Sequence, residues 1–373
     1  MSLKFDDEYL VKLLTDLVNI PSVFPEEEEI MLFLEGELAR LGFATQRFAV
    51  TEDRFNLLAR IGRGSPVFCL NAHSDTVPAS GKSVPEARIE GDRLYGLGSM
   101  DDKASIVSMV GATKALVESR TPLKGTLDLL ISVDEEGDAK GIRAAVQQGY
   151  RCDMAVTGEG TNLEIVPTHC GLVFLDIVTY GKATHGAVPM AGVNAIDRMY
   201  ELVAGLRQAL ADHPAHSSVG PPTLSLGIMR GGDRPNRVPD RCEASVDFRL
   251  VPPMTLSQVL AEIEDYFREW NGEAEYRITK QCETLDTAHD SPLIKALQDA
   301  SRRVLGRVSP IVGWRGWTEA ESFQTGLGTD AVVFGPGELE RAHSSNEFVD
   351  LAQVRRAARI YAETVLGILG QNA

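Results

Sequence analysis

Residues 67–75 read VFCLNAHSD, an apolar run that ends on an imidazole and a carboxylate. The pattern returns at 127–136, LDLLISVDEE, and at 154–160, MAVTGEG. Such apolar runs are what strands buried on both faces of a parallel sheet look like. Asn56 to Ile61 and Ala331 to Phe334 add two more strand candidates. Helical periodicity lies between and around them, near Ala104 to Glu118, Gly141 to Gln148, onward from Pro292, and from Asp350 to Leu369. Two amphipathic helices open the chain. The first runs near Asp6 to Val18, with Leu10, Leu13, Leu14 and Leu17 on one face. The second follows Pro25 and carries Ile30, Leu32, Phe33, Leu34 and Leu38. Glu26 to Glu29 stand where that helix begins, where carboxylates favour its dipole. The alternation predicts an α/β fold, a mostly parallel sheet flanked by helices on both faces. Sites in such sheets open at the carboxyl ends of the strands. His73, Asp75, Glu135, Glu136 and Glu159 all stand there.

The rhythm changes after Cys170. Val173 to Tyr180, Thr223 to Met229, Cys242 to Leu250 and Glu275 to Thr279 read as strands, with helices near Asn194 to Leu210 and Thr255 to Trp270. Strand, helix, two strands, helix, strand is a split-βαβ pattern. We therefore expect residues 1–172 and 286–373 to form one domain, with an α+β domain inserted over 173–285. A chain of 373 residues exceeds the size at which single cores stop growing, so two domains are also expected from length.

Composition excludes several classes. The net charge of −16, with no basic cluster, argues against a nucleic-acid surface. No apolar run approaches the ~20 residues that cross a bilayer. The first residues, MSLKFDDEYL, lack an apolar signal core, and the five cysteines are scattered and odd in number. Both features lead us to expect a reduced, cytoplasmic protein without nucleic-acid or membrane partners.

His73, Asp101, Glu136, Glu159 and His343 offer imidazole and carboxylate without clustered thiolate, the ligand chemistry of a catalytic zinc centre rather than a structural one. Three could hold one cation and three another, with one carboxylate shared. His73 and Asp75, two apart, lie on one side of an extended chain, so Asp75 can fix the tautomer of a ligating His73. Either Asp101 or Asp102 could bridge, and either could cap the helix that follows; spacing leaves this open. Glu135 and Glu136 diverge if extended, so one can ligate while the other faces a water. Glu159 lies in Gly-Glu-Gly, a sequence that gives its backbone freedom on both sides. Taken singly, each residue has an ordinary structural explanation. Their conjunction does not.

The motifs NAHSDTVP, GDRLYGLGSMDDK, DEEG, GEGT, GKATHG, GGDRPNRVP, DFR and AHSSNEF occur in an order that resembles the dizinc amidohydrolase and metallopeptidase family of acetylornithine deacetylase, succinyl-diaminopimelate desuccinylase, carboxypeptidase G and aminoacylase. The similarity spans essentially the whole chain. It implies two Zn2+ per chain, with Co2+ or Mn2+ able to substitute. His73 and Glu159 would hold one ion and Glu136 and His343 the other, with Asp101 shared. Asp75 would support His73, and Glu135 would be the general base. The insertion would be a lid that also forms a homodimer, with His185 reaching the partner's site to stabilise the oxyanion. Asn236, Arg249 and Thr318 would contact substrate, Arg249 through a carboxylate.

The implied reaction is zinc-dependent hydrolysis of the amide bond of a small N-acyl amino acid. Glu135 would take a proton from water and return it to the leaving amine. Two departures bear on the substrate and the ligands. Asp102 is not the usual neighbour of the bridging acid, so it stays open as a ligand. Desuccinylases carry an arginine where this chain has Ser322, beside Glu319 and Glu321. That favours an acyl amino acid with a neutral or cationic side chain, such as acetylornithine. A dipeptidase or carboxypeptidase, or a desuccinylase, with the same machinery is the alternative.

Overall fold

The structure, a computed structural model, describes residues 3–78, 86–344 and 346–370. The chain divides into two compact units. The first comprises Met1–Pro167, Thr287–Val312 and Thr318–Ala373, and the second Thr168–Asp286 with Gly313–Trp317.

The first unit is built on a mixed sheet. Its strand order is Thr45–Ala49, Phe55–Arg63, Gly125–Ser132, Val67–His73, Met154–Thr157, Asp330–Val333 and Ile165–His169. The four strands from Gly125–Ser132 to Asp330–Val333 are mutually parallel, and the pairings outside them are antiparallel. Every residue of Gly125–Ser132 is buried, as expected of a strand covered on both faces.

Alternation decides what each face meets. Phe68, Leu70, Ala72, Leu127, Leu129 and Ile131 join a core with the helices Asp7–Asn19, Glu28–Arg40, Lys103–Glu118, Pro292–Leu305 and Leu351–Leu369. Lys140–Gln147 and Ala320–Leu327 pack together, the latter also against the strands Met154–Thr157 and Asp330–Val333. Helix Asp7–Asn19 starts where Asp6 accepts the Tyr9 N–H at 3.0 Å, and its buried stripe is Leu10, Leu13, Leu14, Leu17 and Val18. In the acidic run at the second helix Glu26, Glu28 and Glu29 are exposed, and Glu27 is not. Glu27 is 1% exposed and receives both Nε and Nη2 of Arg54, whose Nη1 lies 2.7 Å from Asp134.

The second unit has a four-stranded antiparallel sheet ordered Thr223–Gly231, Arg241–Leu250, Gly171–Tyr180 and Ala274–Cys282. Its buried alternate positions pack against the helices Ala195–Ala211 and Leu256–Glu269. The segment Gly313–Trp317 joins it from later in the sequence. Trp314 O accepts the Cys170 N–H at 3.1 Å, and Arg315 donates to Pro221 O and to Thr223 Oγ1 at 3.0 Å. Contiguity in sequence could not reveal those hydrogen bonds.

Candidate active site

At the carboxyl ends of the parallel strands, two groups of potential ligands meet. His73, Asp101 and Glu159 form one, and Asp101, Glu136 and His343 the other, with the donor atoms of each group within 4.8 Å of one another. Asp101 belongs to both. Its Oδ1 lies 3.1 Å from His73 Nε2, and its Oδ2 lies 3.4 Å from His343 Nε2. Glu159 Oε1 stands 3.8 Å from His73 Nε2, and Glu136 Oε1 stands 2.9 Å from His343 Nε2. Asp102 joins neither group among the described residues. It lies wholly buried, where desolvation pushes its carboxyl well above the usual range. The peptide bond between Asp101 and Asp102 is cis.

Local structure explains how the strands present these groups. His73 is the last residue of its strand. Beyond Gly125–Ser132 the chain reverses at Asp134, which has a left-handed φ of 73° and whose Oδ2 accepts the N–H groups of Asp138 and Lys140. Aspartate tolerates that conformation because its short side chain bonds locally. Asp75 then fixes the next two residues. Its carboxylate accepts the Glu135 N–H at 3.2 Å and the Glu136 N–H at 2.9 Å. This modifies the role expected for Asp75. The nearer acceptor for His73 Nδ1 is the Asp75 backbone carbonyl, at 3.0 Å, against 3.5 Å to Oδ1. Asp75 thus orients the imidazole chiefly through its main chain, and the adjacent acids through its side chain.

The glycines around Glu159 serve close packing. Neither has positive φ. A Cβ at Gly158 would lie 2.4 Å from Ser105 Cβ, and one at Gly160 would lie 2.2 Å from Met100 Sδ.

Electrostatics mark the cluster as short of positive charge. Burial opposes protonation of His73, yet its hydrogen bonds with Asp101 and Asp75 outweigh this and hold the imidazole well above its usual range. Hydrogen bonds to Asp101 and Glu136 push His343 up to about 10. Desolvation, followed by neighbouring acids, raises Glu159 and Glu135 well above the ordinary carboxylate range. Without cations the oxygens and ring nitrogens must share protons. Divalent ions would replace those protons, and the imidazole and carboxylate donor set fits them.

Among the described residues, none of the remaining expected residues belongs to either donor group. His185 is exposed in the second unit, and its Nδ1 accepts the Ala187 N–H at 3.1 Å. With Nδ1 accepting, Nε2 is the nitrogen that bears the proton in the neutral tautomer. Asn236 is exposed on a loop of the same unit. Arg249 is held by both carboxylate oxygens of Asp247, at 2.8 and 3.0 Å. Thr318 is fully buried, and its Oγ1 accepts the Ala320 N–H at 3.2 Å, so it shapes a turn. Glu319 and Glu321 are buried too. Glu319 receives the Ser132 hydroxyl, and burial pushes its carboxyl up to about 7. Glu321 pairs with Arg143 at 3.3 Å and accepts the hydroxyls of Ser322 and Thr325. Glu321 is therefore committed within the fold. Glu347, outside the expected set, accepts the N–H groups of Met100 and Asp101. Its place four residues after His343 was the available signal.

The model of peptidase family M20/M25/M40 matches residues 69–367, most of the chain. The chain belongs to this family. Among curated relatives, acetylornithine deacetylase from Photorhabdus laumondii subsp. laumondii is 30% identical over 380 residues, covering 95% of this chain and 96% of its own. Acetylornithine deacetylase from Salmonella paratyphi B is 29% identical with the same coverage. Among solved structures, aminopeptidase PepT from Bacillus cereus superposes with a TM-score of 0.82 at 22% identity, covering 98% of this chain and 99% of its own. An M20 family metallo-carboxypeptidase from Sulfolobus solfataricus gives 0.79 at 20%, covering 96% and 98%. A dinuclear metal binding peptidase of the family from Bacillus subtilis gives 0.72 at 18%, covering 96% and 97%. The fold is that of M20 peptidases, and this M20 chain is a metal-dependent hydrolase of amide bonds.

Proposed function

We propose that this M20 hydrolase removes the acyl group of N-acyl amino acids in the manner of an acetylornithine deacetylase, using two zinc ions. The observation that carries the reading is the meeting of two three-residue donor groups at Asp101, beside the buried Glu135. His73 and Glu159 would hold one ion, Glu136 and His343 the other, and Asp101 both. The pair would lower the pKa of water and polarise the amide carbonyl. Glu135 takes the proton of the attacking water and returns it to the departing amine. Asp75 fixes the direction of Glu135 and Glu136 by holding their N–H groups. Co2+ or Mn2+ suits the same donors.

The acyl amino acid class is supported by the deacetylases at about 30% identity over nearly the full chain. In a homodimer, His185 of one copy would contribute its Nε2–H to the carbonyl oxygen in the other copy's site as negative charge develops. Arg249 grips the substrate carboxylate after exchanging Asp247 for it. A homodimer through the second unit is part of the proposal. The edge strand Thr223–Gly231 leaves Ile228 49% and Met229 36% exposed, the kind of edge that pairs with another chain. Five free, buried cysteines fit a reducing cytoplasm. No helix among the described residues is long and apolar enough to cross a membrane.

Amine release from a panel of N-acetyl, N-succinyl and aminoacyl amino acids, after chelation and again with zinc restored, tests the reading. Zinc-dependent turnover of acetyl amino acids is expected. Turnover of dipeptides alone would replace it with an exopeptidase function.

A further inference from the structure

Glu347 is 4% exposed, on the segment that carries His343. Its Oε1 accepts the Met100 N–H at 2.9 Å and the Asp101 N–H at 3.2 Å, and its own carbonyl accepts the Gly96 N–H at 3.1 Å. One residue thus grips the 96–101 segment through both main chain and side chain. Met100, between those contacts, has no room to move away. A Cβ at Gly160 would stand 2.2 Å from its Sδ, and one at Gly337 would stand 2.2 Å from its Cγ.

A buried carboxylate is costly unless it is hydrogen-bonded. This one directs its bonds at a backbone whose next side chain is the carboxylate shared by both donor groups. Two cations ~3.5–4 Å apart can share a carboxylate only if it is held in place, to within about half an ångström. A short side chain takes that placement from its backbone. We propose that Glu347 is a positioning residue: it sets Asp101 between the two cation positions and ties that placement to the loop bearing His343. The proposal rests on Asp101 being the shared ligand.

A residue that merely stabilised the loop would lower the melting temperature of the chelated protein and leave zinc affinity unchanged. A positioning residue changes the affinity itself. Zinc alone is therefore titrated against a chromophoric chelator, with full-length protein whose fold is checked by circular dichroism. Glu347→Ala is expected to bind zinc ~10–100-fold more weakly than the parent, the effect typical of lost support around metal ligands. Glu347→Gln keeps the Oε1 acceptor and is expected to lose less than about 10-fold. If Glu347→Ala does not fold, Glu347→Asp decides, because its shorter arm cannot reach both N–H groups. At least ~10-fold weakening supports the proposal. Parental affinity in a folded Glu347→Ala or Glu347→Asp protein overturns it while leaving the site reading intact. A parent protein that binds no zinc removes the site reading, and this proposal with it.

Discussion

The residues proposed for catalysis fall in two regions that differ in how they are held. His73, Asp101, Glu135 and Glu159 are 8% exposed or less, and each extends from or follows a strand end or a clamped loop in the first unit. His185 and Asn236 are exposed in the second unit, on a two-stranded ribbon and its adjoining loop. Within the first unit His343 is the exception, an exposed candidate ligand on a turn that the buried Asp101 and the half-buried Glu136 hold by its Nε2.

The largest effect should come from emptying the sheet-edge site. Dialysis against a chelator is expected to reduce turnover to background, and added zinc to restore it. Activity that survives chelation would contradict metal dependence. Next is Glu135→Gln, expected to keep zinc content but lose ~10²–10⁴ in kcat, the usual worth of a general base. His185→Ala, on the exposed side of the comparison, is expected to cost ~10²–10³ in kcat with zinc affinity unchanged. A loss of zinc in that variant would erase the distinction between the regions. Arg54→Ala probes the support beneath the site. It leaves Glu27 and Asp134 buried without their partner and is expected to destabilise the protein by about 3–5 kcal/mol, read by urea unfolding.

The same contrast governs what the sequence disclosed. The strand Met154–Thr157 was readable to the residue because a strand buried from Ala155 onward leaves an apolar run. Thr45–Ala49 was not, since its TQRFA is polar and pairs along only one edge. Ile165–His169 was missed because VPTH lacks the apolar continuity of a central strand. His73, Glu136 and Glu159 were legible as candidate donors because each stands at or just past the end of a strand. Their supports were not. That Asp75 would hold two N–H groups across the sheet, or Glu347 two across the loop, depends on contacts 60 and 246 residues apart that no local pattern encodes. Glu321 drew attention as an acid near the substrate loop, but its partner Arg143 is 178 residues away in the chain.

The central claim is that two cations share Asp101. The direct measurement is an anomalous difference map, collected at the zinc edge from crystals of zinc-loaded protein. The account predicts two peaks ~3.5–4 Å apart, flanking the Asp101 carboxylate. One would be ligated by His73 and Glu159, the other by Glu136 and His343. A single peak, or peaks that leave Asp101 unshared, would contradict it.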